Sequence, residues 1–314
     1  MSFKKINMSD HSAENTLKCE TNIVLVSGNP NKAQEISKIL ESVGDAQKNP
    51  IGILPVDLTE IQGDLGKDYM KIAKDVTIAK VKECWRKVNE MIQQKIISLT
   101  GRTMFIIEDS SFFLLGAENN FPGHLIKGFT PRQLIDHANG LELAAFVEQS
   151  SSCMSAVAAI GHTSEVDFEQ VYLTTKLLKM KDSPCNTQPR HAKALSQFAC
   201  FVIDPSVTFT GASIPDSKIV FVQGSCTGSV SRRIMGTGGF AWDHCFVPDD
   251  ATLFREETSS SSMKQFSGMT FSEMIDIDPS AKNMISQRYD AVVQLSPVIK
   301  YFKQSLVQPK SSAE

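Results

Sequence analysis

No run of roughly 18 apolar residues occurs in this 314-residue chain, which argues against a membrane-spanning helix. The first twenty residues hold no apolar stretch of the kind a secretory leader needs, so they read as a disordered tail. Strong charge of either sign is missing as well. Thirty-two Lys and Arg stand against 35 Asp and Glu, a net charge of −3. That balance argues against a protein that coats nucleic acid, yet it leaves room for a small anion in a local basic pocket. The seven cysteines are odd in number and form no CxxC pair. They read as reduced thiols of a cytoplasmic protein, not as a disulfide frame or a zinc site. No GxxxxGK[ST] phosphate loop is present. No GxGxxG follows the first apolar strand, which leaves a dinucleotide-dependent oxidoreductase without its fingerprint.

What is present alternates between strand and helix patterns. Residues 23–27 are a buried-type apolar strand. Ala33, Ile36, Ile39, Leu40 and Val43 then recur at helical spacing, with Gly44 as a fitting terminator. Residues 51–58 read as a second extended segment. Ile72, Ala73, Val76, Ala79 and Val81 mark a helix that continues through Trp85, Val88 and Ile92. "TMFIIEDSS" is a strand running into acidic and hydroxyl residues, and "LIDHANGLELAAFVEQ" reads as helix. Residues 199–203 and 218–222 fit a hairpin, and a last helix is expected from Pro279 to Leu295. Residues 255–268 are Ser-rich and read as a loop. The pattern is that of an α/β domain with a mixed sheet.

Four stretches carry possible chemistry. In "IVLVSGNPNKAQE" a strand exits into Ser27, Gly28 and Asn29 just before a helix. Gly28 lets the backbone approach a ligand. The helix N-terminus offers amides to an anion, and Lys32 adds a full charge. An ordinary turn with a solvated lysine would have the same sequence. In "FIIEDSSFF" Glu108 and Asp109 close an apolar strand, where carboxylates are costly unless exposed, paired or bound to a cation. Glu60, in "DLTEIQG", is a third candidate, and hard cations such as Mg²⁺ favour such oxygen donors. In "GTGGFAWDHCFVPDD" Phe240 and Trp242 offer an aromatic face and Asp243 a directed acceptor, as a purine requires. A glycine turn before a core strand is the plainer alternative. In "SAKNMISQRYD" Lys282 and Ser286 share a helix face, with Gln287 and Arg288 beside them.

Taken in order, "SGNPNKAQE", "LTEIQG", "EDSSFFLLGAENNFPGHLIKGF", "GGFAWDHCF" and "TFSEM…SAKNMISQR" resemble the inosine triphosphate pyrophosphatase family. The resemblance covers roughly 21–149 and 196–304 and rests on shared order and spacing. It implies an elongated α/β fold, with a mixed central sheet and two lobes flanking an active-site cleft. Residues 21–304 are then one two-lobed domain, 150–195 an insertion within it, and 1–20 and 305–314 tails. It implies Mg²⁺-dependent hydrolysis of ITP, dITP and XTP to the monophosphate and pyrophosphate by a cytoplasmic homodimer, with no nucleic-acid or membrane partner. Ser27, Gly28, Asn29 and Lys32 match the phosphate turn, and Lys74 a phosphate-reaching helix lysine. Lys127 falls where the family also has a lysine. Glu60 and Asp109 match the metal-associated acids, with Glu108 beside them, and Asp109 would orient or deprotonate the attacking water. Phe240, Trp242 and Asp243 match a base-facing strand. Lys282, Ser286 and Arg288 match a base- and phosphate-reading motif.

Two departures stand out. The family's closing Ser-His-Arg is here Ser286-Gln287-Arg288, and glutamine cannot carry a protonic charge. Met235 precedes Gly236 where the family often has arginine, and Arg232 and Arg233 are out of register. A nucleotide-binding protein with impaired catalysis, or a pyrophosphatase for other modified nucleotides, therefore stays open beside the first reading.

Overall fold

The computed structural model describes residues 17–19, 21–43, 51–58, 69–117, 121–149, 190–206, 213–254 and 263–307. Strand β1 (Leu17–Cys19) pairs in parallel with β4 (Ile97–Leu99). This corrects the expectation of a disordered tail over 1–20 at those three positions; the rest of that segment lies outside the described residues. The main sheet has seven strands, in the order β3-β2-β5-β7-β8-β9, with β6 on β5. They are β2 (Ile23–Val26), β3 (Gly52–Leu54), β5 (Thr103–Leu114), β6 (Pro122–Gly123), β7 (His191–Ile203), β8 (Val220–Val230) and β9 (Phe246–Pro248). β3, β2 and β5 run parallel, and the pairs from β5 through β9 are antiparallel. The expected mixed α/β sheet is thus what the chain forms. His191–Leu195, placed in the insertion by sequence, belong to β7, while 150–189 lie outside the described residues.

Helix α1 (Pro30–Val43) follows β2, α2 (Tyr69–Gln93) precedes β4, and α3 (Pro131–Gln149) follows a 3₁₀ turn at His124–Gly128. The short α4 (Asp250–Leu253), α5 (Phe271–Ile277) and α6 (Lys282–Ile285) lead to α7 (Gln287–Val307). The single helix expected from Pro279 is therefore two. The Ser286 hydroxyl accepts from Tyr289 N at 3.2 Å, which caps α7 and separates it from α6.

β5 decides where a site can form. Its carboxylates were expected at a strand end, but the strand runs on through Leu114 and puts them mid-strand. On one edge β5 pairs with β2 only as far as Ile107, and with β6 only at Phe112 and Phe113. Residues 108–111 thus face a gap in the sheet where β2 has already turned away. Successive strand residues point to opposite faces, so Glu108 and Asp109 serve different sides. On the Glu108 side, Met104 and Ile106 join a core with α1 and α7. Phe112 and Leu114 join another core with α3, the Trp242 region and α5. Between them runs a polar seam of Glu108, Ser110 and Ser196, the last opposite Gly224 in β8. On the opposite face, Val24, Val26, Phe105, Ile107 and Phe201 form a further core with Val81, Trp85 and Val88 of α2.

Candidate active site

Asn29 builds the turn. Its side-chain oxygen accepts from the backbone N of Asn31 and Lys32 at 3.0 and 3.2 Å, and Pro30 opens α1, so the helix is capped just where β2 ends. Gly28 packs against the Asp57 side chain, which would have to swing aside for any larger residue. A Cβ there would lie 1.7 Å from Asp57 Oδ1. Ser27, Gly28 and Asn29 then line a cleft of about 390 Å³ with Lys32, Asp57, Lys80, Glu108, Asp109 and Lys127. The structure brings Lys32, Asp109 and Lys127 to one place.

Asp109 pairs with Lys80 at 2.7 Å, both buried. Lys80 was missed by the sequence reading, which chose Lys74. That choice is corrected: Lys74 is exposed, with its ammonium 5.2 Å from the Phe221 ring centre, and does not line the cleft. The signal was present. Lys80 lies on the stripe Ala73, Val76, Thr77, Lys80, Val81 and Cys84 that α2 buries, and a lysine on an apolar stripe needs a partner. Lys127 is held below the ordinary lysine range by partial burial and by the charge of Lys32. His124, also missed, is held below the usual histidine range by burial and by Lys80, against the pull of Asp109.

On the opposite face Glu108 is an ion-pair hub. Its Oε2 meets Lys32 Nζ at 3.0 Å and its Oε1 meets Arg288 Nε at 3.4 Å. Hydroxyls of Ser110 and Ser196 also donate to Oε1. Burial alone would raise this carboxyl; Lys32, Arg288 and the two hydroxyls outweigh it and bring it to about 2. Glu108, expected beside the metal-associated acids, has one oxygen on Lys32 and the other on Arg288. Glu60 lies outside the described residues.

The pairs continue away from the cleft. Arg288 donates to Glu35 at 3.0 Å and to Ser110 at 2.9 Å. Lys282 meets Glu35 at 3.2 Å and Asp243 at 2.8 Å. Burial works against the Glu35 charge, but Arg288 and Lys282 hold its carboxyl below the ordinary range. Arg288 is raised for the converse reason: the carboxylates of Glu35, Glu108 and Asp243 outweigh its burial. Glu35 was also missed, although it sits three residues after Lys32 and so shares its face of α1.

Phe240 lies over Lys282 and Arg288, with its ring centre 4.9 Å from Nζ and 5.6 Å from Cζ. The base-facing strand is corrected to a 3₁₀ turn, Ala241–His244, fastened by Asp243 accepting from Phe240 N at 2.9 Å. Trp242 is corrected to a core residue, buried 5.5 Å from Phe112. Ser286 is the α7 cap described above. Gln287 is fully buried, and neither end of its carboxamide meets a hydrogen-bond partner among the described residues.

Fold and cleft together define an α/β protein with a strand-to-helix turn set against buried carboxylate–cation pairs. The chain belongs to the Ham1 family, whose sequence model matches residues 23–179 and 170–298. Inosine triphosphate pyrophosphatase 1 of Trypanosoma cruzi (strain CL Brener) is 36% identical over 87 residues, 28% of this chain and 35% of that protein. Inosine triphosphate pyrophosphatase 2 of the same organism is 34% identical over the same shares. The match spans about a third of the length of these curated relatives. Among solved structures, the Staphylococcus aureus Ham1 protein is 14% identical with a TM-score of 0.40, covering 89% of this chain and 99% of that one. A HAM1 protein from Coxiella burnetii is 18% identical with a TM-score of 0.44, covering 91% and 99%.

Proposed function

We propose that this protein hydrolyses the triphosphates of deaminated purines, ITP, dITP and XTP, to the monophosphate and pyrophosphate. One observation carries the reading: the turn Ser27–Asn29 and three lysines, Lys32, Lys80 and Lys127, line one cleft with Asp109. A triphosphate needs its charge neutralised before a nucleophile can approach, and the ammonium groups of Lys32, Lys80 and Lys127 supply positive charge at the cleft. Asp109 is the carboxylate that orients or deprotonates water at the α-phosphorus. The names of the two Trypanosoma cruzi relatives support the same chemistry.

Among the described residues no three His, Cys, Asp or Glu side chains form a group that would hold a metal unaided. Asp57 and Asp109 line the cleft with hard oxygen donors. They suit Mg²⁺, which takes one or two carboxylates and otherwise water and phosphate. When bound it would neutralise the phosphates. Among the described residues no helix is long and apolar enough to cross a membrane. The reading includes a cytoplasmic homodimer without nucleic-acid or membrane partners.

Base selectivity falls to Lys282 and Arg288, whose donors suit the C6 oxygen of hypoxanthine and xanthine. Between them they already donate to Glu35, Asp243 and Ser110, so a C6 oxygen has to draw donors from those partners, and the amino group of adenine offers no acceptor in exchange. Gln287, an unpartnered buried amide where the family pattern has histidine, favours a second reading: a pyrophosphatase for other modified nucleotides. Pyrophosphate release with Mg²⁺ from ITP, XTP, ATP, GTP and dUTP separates the two. ITP and XTP should lead by about tenfold or more; a lead by ATP would reject the donor argument.

A further inference from the structure

We propose that Glu108 is a positioning residue that couples the base half of the site to its phosphate half. The proposal rests on the pyrophosphatase reading above. One carboxylate holds two cations of different duty. Lys32, on Oε2 at 3.0 Å, lines the phosphate cleft. Arg288, on Oε1 at 3.4 Å, lies against Phe240 and Glu35.

Glu108 cannot drift to serve one at the expense of the other. It sits mid-strand on β5, which is paired residue by residue to β7 from Thr103 to Leu114. Ser110 and Ser196 fix its Oε1 from the side. Its side chain is 2% exposed, so water does not screen the two contacts. Movement of Arg288 toward a base changes the field at Glu108 and hence the hold on Lys32. The reverse also follows, because coupling between sites is reciprocal. A correct base then registers in turnover as well as in binding.

Kinetics of Glu108→Gln with ITP and ATP test this, with circular dichroism to verify folding. The kcat ratio of ITP to ATP should fall by about tenfold, while the KM ratio stays within about twofold. Glu108→Asp, which keeps the charge, should restore part of the kcat ratio. A merely structural role would lower kcat for both nucleotides by one factor, and that result overturns the proposal. A second arm leaves Glu108 in place. In Arg288→Lys, inhibition by pyrophosphate, which carries no base, should weaken by about fivefold. Should the Glu108 variants fail to fold, this arm decides, and unchanged pyrophosphate inhibition overturns the coupling. A wild-type protein that releases no pyrophosphate from ITP fails the pyrophosphatase reading itself, and the proposal falls with it.

Discussion

Lys74 and Lys80 stand on one helix and differ in where α2 points them. Lys80 is buried against Asp109, and Lys74 is exposed beside Phe221. Lys80→Met should therefore lower pyrophosphate release by about a hundredfold, and Lys74→Met should leave it within about twofold; steady-state rates for the two variants check this. The choice of Lys74 from sequence followed family spacing and passed over the helical stripe. Lys32 and Asp109 were legible because a strand exit and a strand carboxylate leave local marks. Glu35 and Lys80 were not, because their partners lie far off in the chain. Glu108 also carries a pH consequence. Its carboxyl stands at about 2 in the fold against an ordinary 4.5. A depressed carboxyl stabilises the fold fully above about 4.5, and that stabilisation drains away as pH falls toward 2. The loss is about 3 kcal/mol. Thermal unfolding from pH 7 down to 3 should show the decline, with a shallower slope in Glu108→Gln.

At the level of elements, the approach of α7 to β8 sets the site. A Cβ on Gly224 would lie 2.1 Å from Ala291 N and 2.4 Å from Gln287 O, both backbone atoms that cannot swing aside. Ser225 N also donates to Asp290 at 2.8 Å and ties helix to strand. Gly224→Ala should thus cost about 1–3 kcal/mol, read by denaturant unfolding. Most helices and strands were visible in the periodicity, since α1, α2 and α3 each carry apolar spacing that local sequence alone sets. The break at Ser286 was hidden because a cap inside a helical pattern resembles any other serine. β8 was underestimated because "QGSCTGSV" is small and polar. Its strand state comes from pairing with β7, not from propensity.

For the molecule as a whole, the division into two cores on the Glu108 face of the sheet follows from small and polar residues at the middle of neighbouring strands: Glu108 and Ser110, Ser196, Gly224. Each looks incidental in one dimension, and only the register of three strands aligns them. Arg190 stands just before β7, at the end of the segment that follows α3. It is tied back to Asn139 at 2.7 Å and Glu142 at 3.2 Å on α3.

Every ammonium or guanidinium in the paired network, Lys32, Lys80, Lys282 and Arg288, has a carboxylate within reach. Four positive groups meet four negative ones, Glu35, Glu108, Asp109 and Asp243. From a distance that ensemble is electrically quiet and casts little field into the surrounding solution. Capture of a nucleotide then depends on collision and local fit, so kcat/KM should change little as ionic strength rises.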